Sequence, residues 1–282
     1  MFDFNKCHPI ELDDLIHIGN KFDGGYVLSK KQIEKTEILL SFGVNLDWSF
    51  ERSFYKEKKT KIYSYDYSTK AHLDKNIFGR IFRFLRSSMI IFYYLLLLKP
   101  SRAENHLWRL FFRSTFYKFF NDKQGRYFIP KFIGNYDDEI YTCFDTIFKE
   151  LGEINNLSVF IKMDIEGSEY DSLPQLFRYL DKVNGLVVEF HDLEKCENQF
   201  INLLDELKKQ FYIAHVHGCN YSHLIKFTNI PNVLEITFIN KKMVEGNIIQ
   251  SKKNYPIKGL DFPNKPFSKD YVLHFAVRET LN

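Results

Sequence analysis

Chemistry in this chain is concentrated where apolar runs give way to acids and histidines. The segment VFIKMDIEGSEYD, residues 159–171, passes from a short apolar run to Asp164, Glu166 and Glu169. GLVVEFHD, residues 185–192, runs into Glu189, His191 and Asp192, and a third apolar run at 212–216 opens on His217, Asn220 and Ser222. Carboxylates are hard oxygen ligands suited to Mg²⁺ or Mn²⁺, so Asp164 and Glu189, completed by His191 or Asp192, form a candidate cation set. Imidazole titrates near neutrality, which makes His191 a candidate general base and His217 a second one. The competing reading of each is structural, with the carboxylates as caps or hydrogen-bond anchors and the histidines as packing. Lys162, inside the first apolar run, carries no assignment.

These residues act together only if three strands deliver them to one edge of a sheet, and in an open α/β sheet ligands bind outside the carboxyl ends of the strands. The pattern predicts such strands at 159–163, 185–190 and 212–216, with helices at 169–179, where Ser168 is a plausible cap, and at 195–209. A first strand at 37–42 (EILLSF) leads through Gly43 into a helix from Ser49, an arrangement that lets backbone pass close beside a nucleoside. The strand at 61–65 ends at Asp66, placed to accept ribose hydroxyls. Further expectations are a third strand at 127–133, a helix at 141–151, late strands at 233–239 and 271–277, and a short helix at 9–16. Gly24 and Gly25 permit a tight turn before YVL, read as a hairpin or lid at the sheet edge.

The segment IKMDIEGSE resembles the signature of FkbM-type methyltransferases, a branch of the class I S-adenosylmethionine (SAM)-dependent fold. Asp164, Glu166, Gly167 and Glu169 match its Asp-x-Glu-Gly-small-Glu pattern, with Ser168 as the small residue. DGGYVL at 23–28, SFGVNLDWSFE at 41–51, TCFDTIFKEL at 142–151 and VVEFHD at 187–192 follow in the order the resemblance implies. It implies a Rossmann-like α/β fold with a mostly parallel central sheet flanked by helices. It also implies SAM as the donor; Ser41, Gly43, Glu51, Asp66 and Asp164 are the residues expected to hold it, and His191, Asp164 and His217 are the candidate catalytic residues. The expected reaction is methylation of a hydroxyl on a sugar or nucleotide-linked sugar, in surface glycan biosynthesis. Some sugar O-methyltransferases of similar fold place metal-binding acids after the fourth and fifth strands, and Asp164, Glu189 and Asp192 are the residues here that would do so. A nucleotide-binding oxidoreductase on the same architecture lacks its G-x-G-x-x-G after the first strand. A catalytically silent binding or membrane-associated assembly protein is the rival of another class.

Length and charge bound the rest. The 282 residues with 45% hydrophobic content suit a single large α/β domain. The 29 Phe and 17 Tyr are spread along the chain and read as core, with no compact nucleic-acid motif. Residues 70–126 break the strand–helix alternation and read as a helical insertion rich in aromatics and arginine. Between residues 80 and 126, ten Lys/Arg face two Asp/Glu, while the whole chain carries only +3. That points to an anionic acceptor or an acidic membrane surface, against the alternative of a solvated face. The apolar run 89–98 is too short to span a bilayer, which needs about 20 residues. It reads as a buried cap helix, with an interfacial or oligomer-forming helix as the alternative. Cys7, Cys143, Cys196 and Cys219 lack metal or redox spacing, and the first residues lack the basic and apolar regions of a signal peptide, so a reduced, cytoplasmic setting is expected.

Overall fold

The computed structural model describes residues 3–73, 89 and 115–275. An antiparallel hairpin, β1 (Leu15–Ile18) and β2 (Tyr26–Ser29), precedes α1 (Lys30–Lys35). Next come β3 (Ile38–Phe42), α2 (Ser49–Glu57), β4 (Lys61–Tyr65), α3 (Tyr67–Leu73) and β5 (Arg126–Ile129). A short parallel pair, β6 (Phe132–Ile133) and β7 (Tyr141–Thr142), leads into α4 (Phe144–Leu151), β8 (Val159–Met163) and α5 (Glu169–Leu176). The described chain is completed by β9 (Val183–Phe190), α6 (Glu197–Gln210), β10 (Phe211–Gly218), β11 (Leu234–Asn240) and a long irregular segment.

Seven strands form one sheet in the order β10-β11-β9-β8-β3-β4-β5. β9, β8, β3, β4 and β5 run parallel, and β11 lies antiparallel between β9 and β10. The protein is thus a mixed α/β fold with a mostly parallel sheet flanked by helices. Every residue of β3, β8 and β9 is buried, as expected of strands covered on both faces. Helices supply the cover through helical spacing: Phe144, Ile147 and Phe148 on α4, and Phe200, Leu203, Leu204 and Leu207 on α6, are buried in the main core. Each such side chain contributes about 1.5–3 kcal/mol of burial. Gly152, at φ 72, ends α4, a backbone position that glycine takes most cheaply.

The strands at 37–42, 61–65, 159–163, 185–190, 212–216 and 233–239 all form, within two residues of their expected bounds. Four expectations are corrected. Residues 9–16 form no helix; Ile10 donates to the Ile213 carbonyl at 2.8 Å and Glu11 to that of Ile249 at 2.9 Å, so tertiary pairing holds the segment extended. The strand expected at 127–133 stops at Ile129, because Pro130 has no N–H for the ladder, and β6 joins a separate sheet. The helix expected from residue 141 starts at Phe144, since β7 takes up Tyr141 and Thr142. Residues 271–275 form no strand, only a single bridge from Leu273 to Tyr255; residues 276 and 277 lie outside the described part.

Most of the basic insertion, including Arg80, Arg83, Arg86 and nearly all of the apolar run, lies outside the described residues. Where the chain is again described, Phe116 and Phe120 are buried with Val44 and Trp48, and Phe128 packs against them, so part of the aromatic surplus is core beneath the Gly43 turn. Among the described residues no helix is long and apolar enough to cross a membrane, and all four cysteines are free.

The irregular C-terminal segment is fastened to β10 by buried histidine–carboxylate contacts. His215 Nε2 lies 3.1 Å from Asp261 Oδ2. His217 sits between Glu235 Oε2, at 3.0 Å from Nδ1, and Asp270 Oδ2, at 2.9 Å from Nε2. Burial alone would lower the His217 pKa, but Glu235 and Asp270 outweigh it and hold it well above the ordinary range. His217→Gln is expected to cost about 3–5 kcal/mol, the usual cost of breaking a buried pair. A pKa raised by folding gives stability that is fully present below the unfolded value, about 6.5, and is lost as pH rises through the folded value. The gap between wild type and variant should therefore narrow on the alkaline side in urea titrations at stepped pH. A gap independent of pH would rule out the charge as its source.

Candidate functional site

The chain order reverses between β3 and β8: β4 and β5 follow on one side of β3, and β9 follows on the other side of β8. Ligands of doubly wound sheets bind at such a switch point, outside the carboxyl ends of the strands. A cleft of about 830 Å³ opens there, within the usual range for small-molecule sites. Its walls are Asn20, Asp23 and Gly24 of the β1–β2 hairpin, Gly43 to Ser49 with Arg52, Lys162, Asp164 and Glu166, Glu189 and His191, and Cys219 to Ser222 without Asn220. The expected hairpin at Gly24 and Gly25 is therefore present, and it borders the cleft.

Local structure explains how the central strand presents its acids. Asp164 continues β8 by donating its N–H to the Phe42 carbonyl at 3.1 Å. The chain then turns through Glu166 at φ 54 and Gly167 at φ 103. Glu169, fully buried, holds this turn: its Oε1 accepts from Ile165 N at 3.2 Å and Gly167 N at 3.3 Å. Ser168 is the N-cap residue of α5, but its side chain makes no capping bond.

The same Glu169 oxygen lies 2.9 Å from His191 Nδ1. This fixes the ring with Nε2 facing Glu166 Oε2 at 3.6 Å, Glu189 Oε1 at 3.7 Å and Asp164 Oδ1 at 3.9 Å. Burial pushes the His191 pKa down, but the Glu169 hydrogen bond and the charges of Glu169, Asp164 and Glu166 outweigh it and leave it raised. Tyr26, buried on β2, places its hydroxyl 3.4 Å from both Asp164 Oδ2 and Glu189 Oε2. Burial, then Asp164, Glu235 and Asp23, push the Glu189 carboxyl well above the usual carboxylate range. Burial beside Asp164 and Glu235 likewise raises Asp23, to about 6.

Lys162 is the charge buried beneath this acidic floor. Its ammonium donates to the Gly43 carbonyl at 2.7 Å and the Phe42 carbonyl at 3.3 Å, and lies 3.6 Å from Asp164 Oδ2. It thereby ties the Gly43 turn to the acid that ends β8. Gly43 has φ 78, and a Cβ there would lie 1.6 Å from the Asp164 carbonyl oxygen, so only glycine allows β3 and β8 to end this close together.

The residues singled out from sequence separate into those in the cleft and those beside it. Asp164, Glu189, His191 and Gly43 line it. Ser41 and Glu51 are buried and hydrogen-bonded to each other, and neither lines the cleft. Asp66 is also buried away from it: one oxygen accepts from Asn45 N at 2.5 Å, and the other from Ser68 Oγ at 2.6 Å and Thr69 N at 3.2 Å. It thus fastens the Gly43–Asn45 turn and starts α3. Asp192, at φ 51, pairs with Lys195 at 3.2 Å instead of joining Asp164 and Glu189. Glu166 takes the place expected of Glu189, and Asp164, Glu166 and His191 each offer a ligand atom, all within 4.8 Å of one another. His217 lies outside the cleft with both ring nitrogens engaged. Sequence reasoning passed over Lys162, Tyr26 and the Glu169–His191 contact. A lone lysine in a five-residue buried strand was the available signal, because a buried charge needs a partner.

No known family profile matches the chain, and no curated protein matches it in sequence. Among solved structures it is similar to one titled "Crystal structure of fibrillarin/Nop5p complex", at 12% identity over 83% of this chain and 98% of that chain, with a TM-score of 0.33.

Proposed function

We propose that this chain is a SAM-dependent O-methyltransferase of the FkbM type, acting on a hydroxyl of a sugar or nucleotide-linked sugar. The observation that carries the reading is the switch-point cleft in which the Gly43 turn faces Asp164, Glu189 and His191. The Gly43–Asn45 turn, held by Lys162 and Asp66, gives a nucleoside the close backbone approach it needs. Asp23, Asp47, Asp164 and Glu166 outnumber Arg52 and Lys162 on the cleft walls, which suits a donor carrying a sulfonium and an ammonium group. Carboxylates are also apt acceptors for the hydroxyls of a sugar. The negative charge of an anionic or nucleotide-linked sugar is matched by the basic surplus of residues 80–126.

In the reaction, the acceptor oxygen attacks the donor methyl in line, an O–C bond forms, and the C–S bond breaks with its electron pair passing to sulfur. His191 Nε2 takes the hydroxyl proton, while Glu169 orients the ring and stabilises the imidazolium that results. A second reading rests on the grouping of Asp164, Glu166 and His191, whose two oxygens and one nitrogen fit Mg²⁺ or Mn²⁺. A cation held there would acidify a bound hydroxyl.

Calorimetry with SAM is expected to show saturable binding, with no heat from NAD or NADP; absence of SAM binding would sink the donor assignment. With nucleotide-sugars as acceptors, turnover that survives exhaustive chelation selects His191 as base, and turnover restored by Mg²⁺ or Mn²⁺ selects the cation reading. SAM binding without transfer to any sugar acceptor would favour a silent binding protein.

A further inference from the structure

Two loops beside the cleft each project a phenylalanine from strained backbone. Between β10 and β11, Leu224 bridges Pro231 and Ile225 donates to the Ile230 carbonyl at 2.8 Å, forming a narrow hairpin. Its tip is a turn closed by Thr228 N to Ile225 O at 3.0 Å, with Phe227 in the third position. In the C-terminal segment, Ser268 N to Lys265 O at 3.2 Å closes a second turn, Lys265-Pro266-Phe267-Ser268, again with phenylalanine third. Phe227 has φ 62 and Phe267 φ 63, where turns ordinarily use glycine or asparagine. Both side chains are fully exposed, at 100% and 105%. They therefore add to the fold neither burial nor favourable conformation.

The tips belong to one surface. Asn220 accepts from Lys265 N at 2.7 Å and donates to the Lys269 carbonyl at 3.1 Å, and Tyr271 donates its hydroxyl to the Ser222 carbonyl at 2.6 Å. Of the eleven exposed large hydrophobics among the described residues, Tyr221, Leu224, Phe227, Phe267 and Val272 lie on these two segments, so the patch is a local concentration. The exposed charges next to the two tips are lysines, with the nearest exposed acid, Glu194, against His223 at the foot of the first hairpin. Lys226, Lys265 and Lys269 are exposed beside the tips, while Asp270 turns inward onto His217.

We infer that this surface docks on a membrane leaflet containing anionic lipid. Single aromatic tips suit the boundary between headgroups and acyl chains, and a lysine next to each tip keeps its ammonium among the phosphates. Tyr221 and Ser222 also line the large cleft, so docking sets the mouth of the cleft at the membrane surface. The inference stands on this surface alone, and a failure to bind SAM would leave it intact.

The test is sedimentation of the full chain with vesicles of phosphatidylcholine containing about a third phosphatidylserine, compared with phosphatidylcholine alone. Wild type is expected to partition at least tenfold more strongly to the acidic vesicles and to be released by high salt. Phe227→Gly with Phe267→Gly should lose at least tenfold in partitioning yet unfold in urea no more easily than wild type, because glycine suits both turns. Three results would overturn the inference. They are no preference of wild type for acidic vesicles, equal binding by the double glycine variant, or vesicle-free self-association that this variant abolishes, which would make the patch an interface between copies.

Discussion

His191→Gln is expected to lower kcat of the proposed methyl transfer about 10²- to 10⁴-fold, the usual contribution of a positioned general base, while leaving SAM affinity unchanged. The asymmetry follows from placement. His191 Nε2 faces the acids that end β8 and β9, whereas the Gly43 turn assigned to the donor is held by Lys162 and Asp66. The variant should also fold, since Glu169 keeps its bonds to Ile165 N and Gly167 N without the imidazole. Wild-type kcat depends on pH in a defined direction. The base must be neutral and its pKa is raised, so the rising limb of the profile should lie on the alkaline side of the ordinary histidine value of about 6.5. Glu169→Gln, which removes the charge that raises this pKa, should move that limb toward acid. A His191→Gln enzyme with wild-type kcat would remove histidine from the chemistry, and an unmoved limb in Glu169→Gln would remove Glu169 as its partner.

Gly43→Ala is expected to cost about 2–6 kcal/mol in urea unfolding and to abolish detectable SAM binding. Two terms combine: left-handed backbone on a residue with a Cβ, at about 1–3 kcal/mol, and overpacking, at about 1–3 kcal/mol. The second term is severe here because the new Cβ would meet backbone, the Asp164 carbonyl oxygen at 1.6 Å and its carbon at 2.7 Å, and no side-chain rotation relieves that. Gly43 is also tied across the sheet by its N–H to the Tyr65 carbonyl at 3.1 Å, so the ends of β3 and β8 must separate. Gly152→Ala isolates the first term, because Gly152 has φ 72 and nothing within 4 Å of its Cβ direction. It should lose only the smaller, conformational part. Equal losses at the two positions would show that the close approach of β3 and β8 contributes nothing to the stability of the site.

The elements of the sheet were legible in the sequence because their signals are local. The runs at 38–42 and 159–163 are apolar but for Ser41 and Lys162, and α4 and α6 repeat their apolar residues at helical spacing. Acids and histidines at the ends of such runs put Asp164, Glu189 and His191 on one edge, since parallel strands deliver their carboxyl ends together. Contacts between distant segments could not be read in that way. Residues 9–16 carry no strand signal of their own; Ile10 and Glu11 are held extended by residues more than two hundred positions away, and Leu15 and Ile16 by pairing with β2.

The sequence by itself determined the central strands, the helices α4 and α6 and the glycine turn, because periodicity and backbone preference act over a few residues. Only the tertiary structure decided which neighbouring groups complete the site. A left-handed turn at Asp192 sends its carboxylate to Lys195, while one at Glu166 leaves that acid 3.6 Å from His191. Asp270, 53 residues along the chain, engages the second ring nitrogen of His217, which lies outside the cleft. The physical reason is the same in each case: a side chain's partners are set by backbone turns and long-range packing, and neither is recorded in the spacing of residue types.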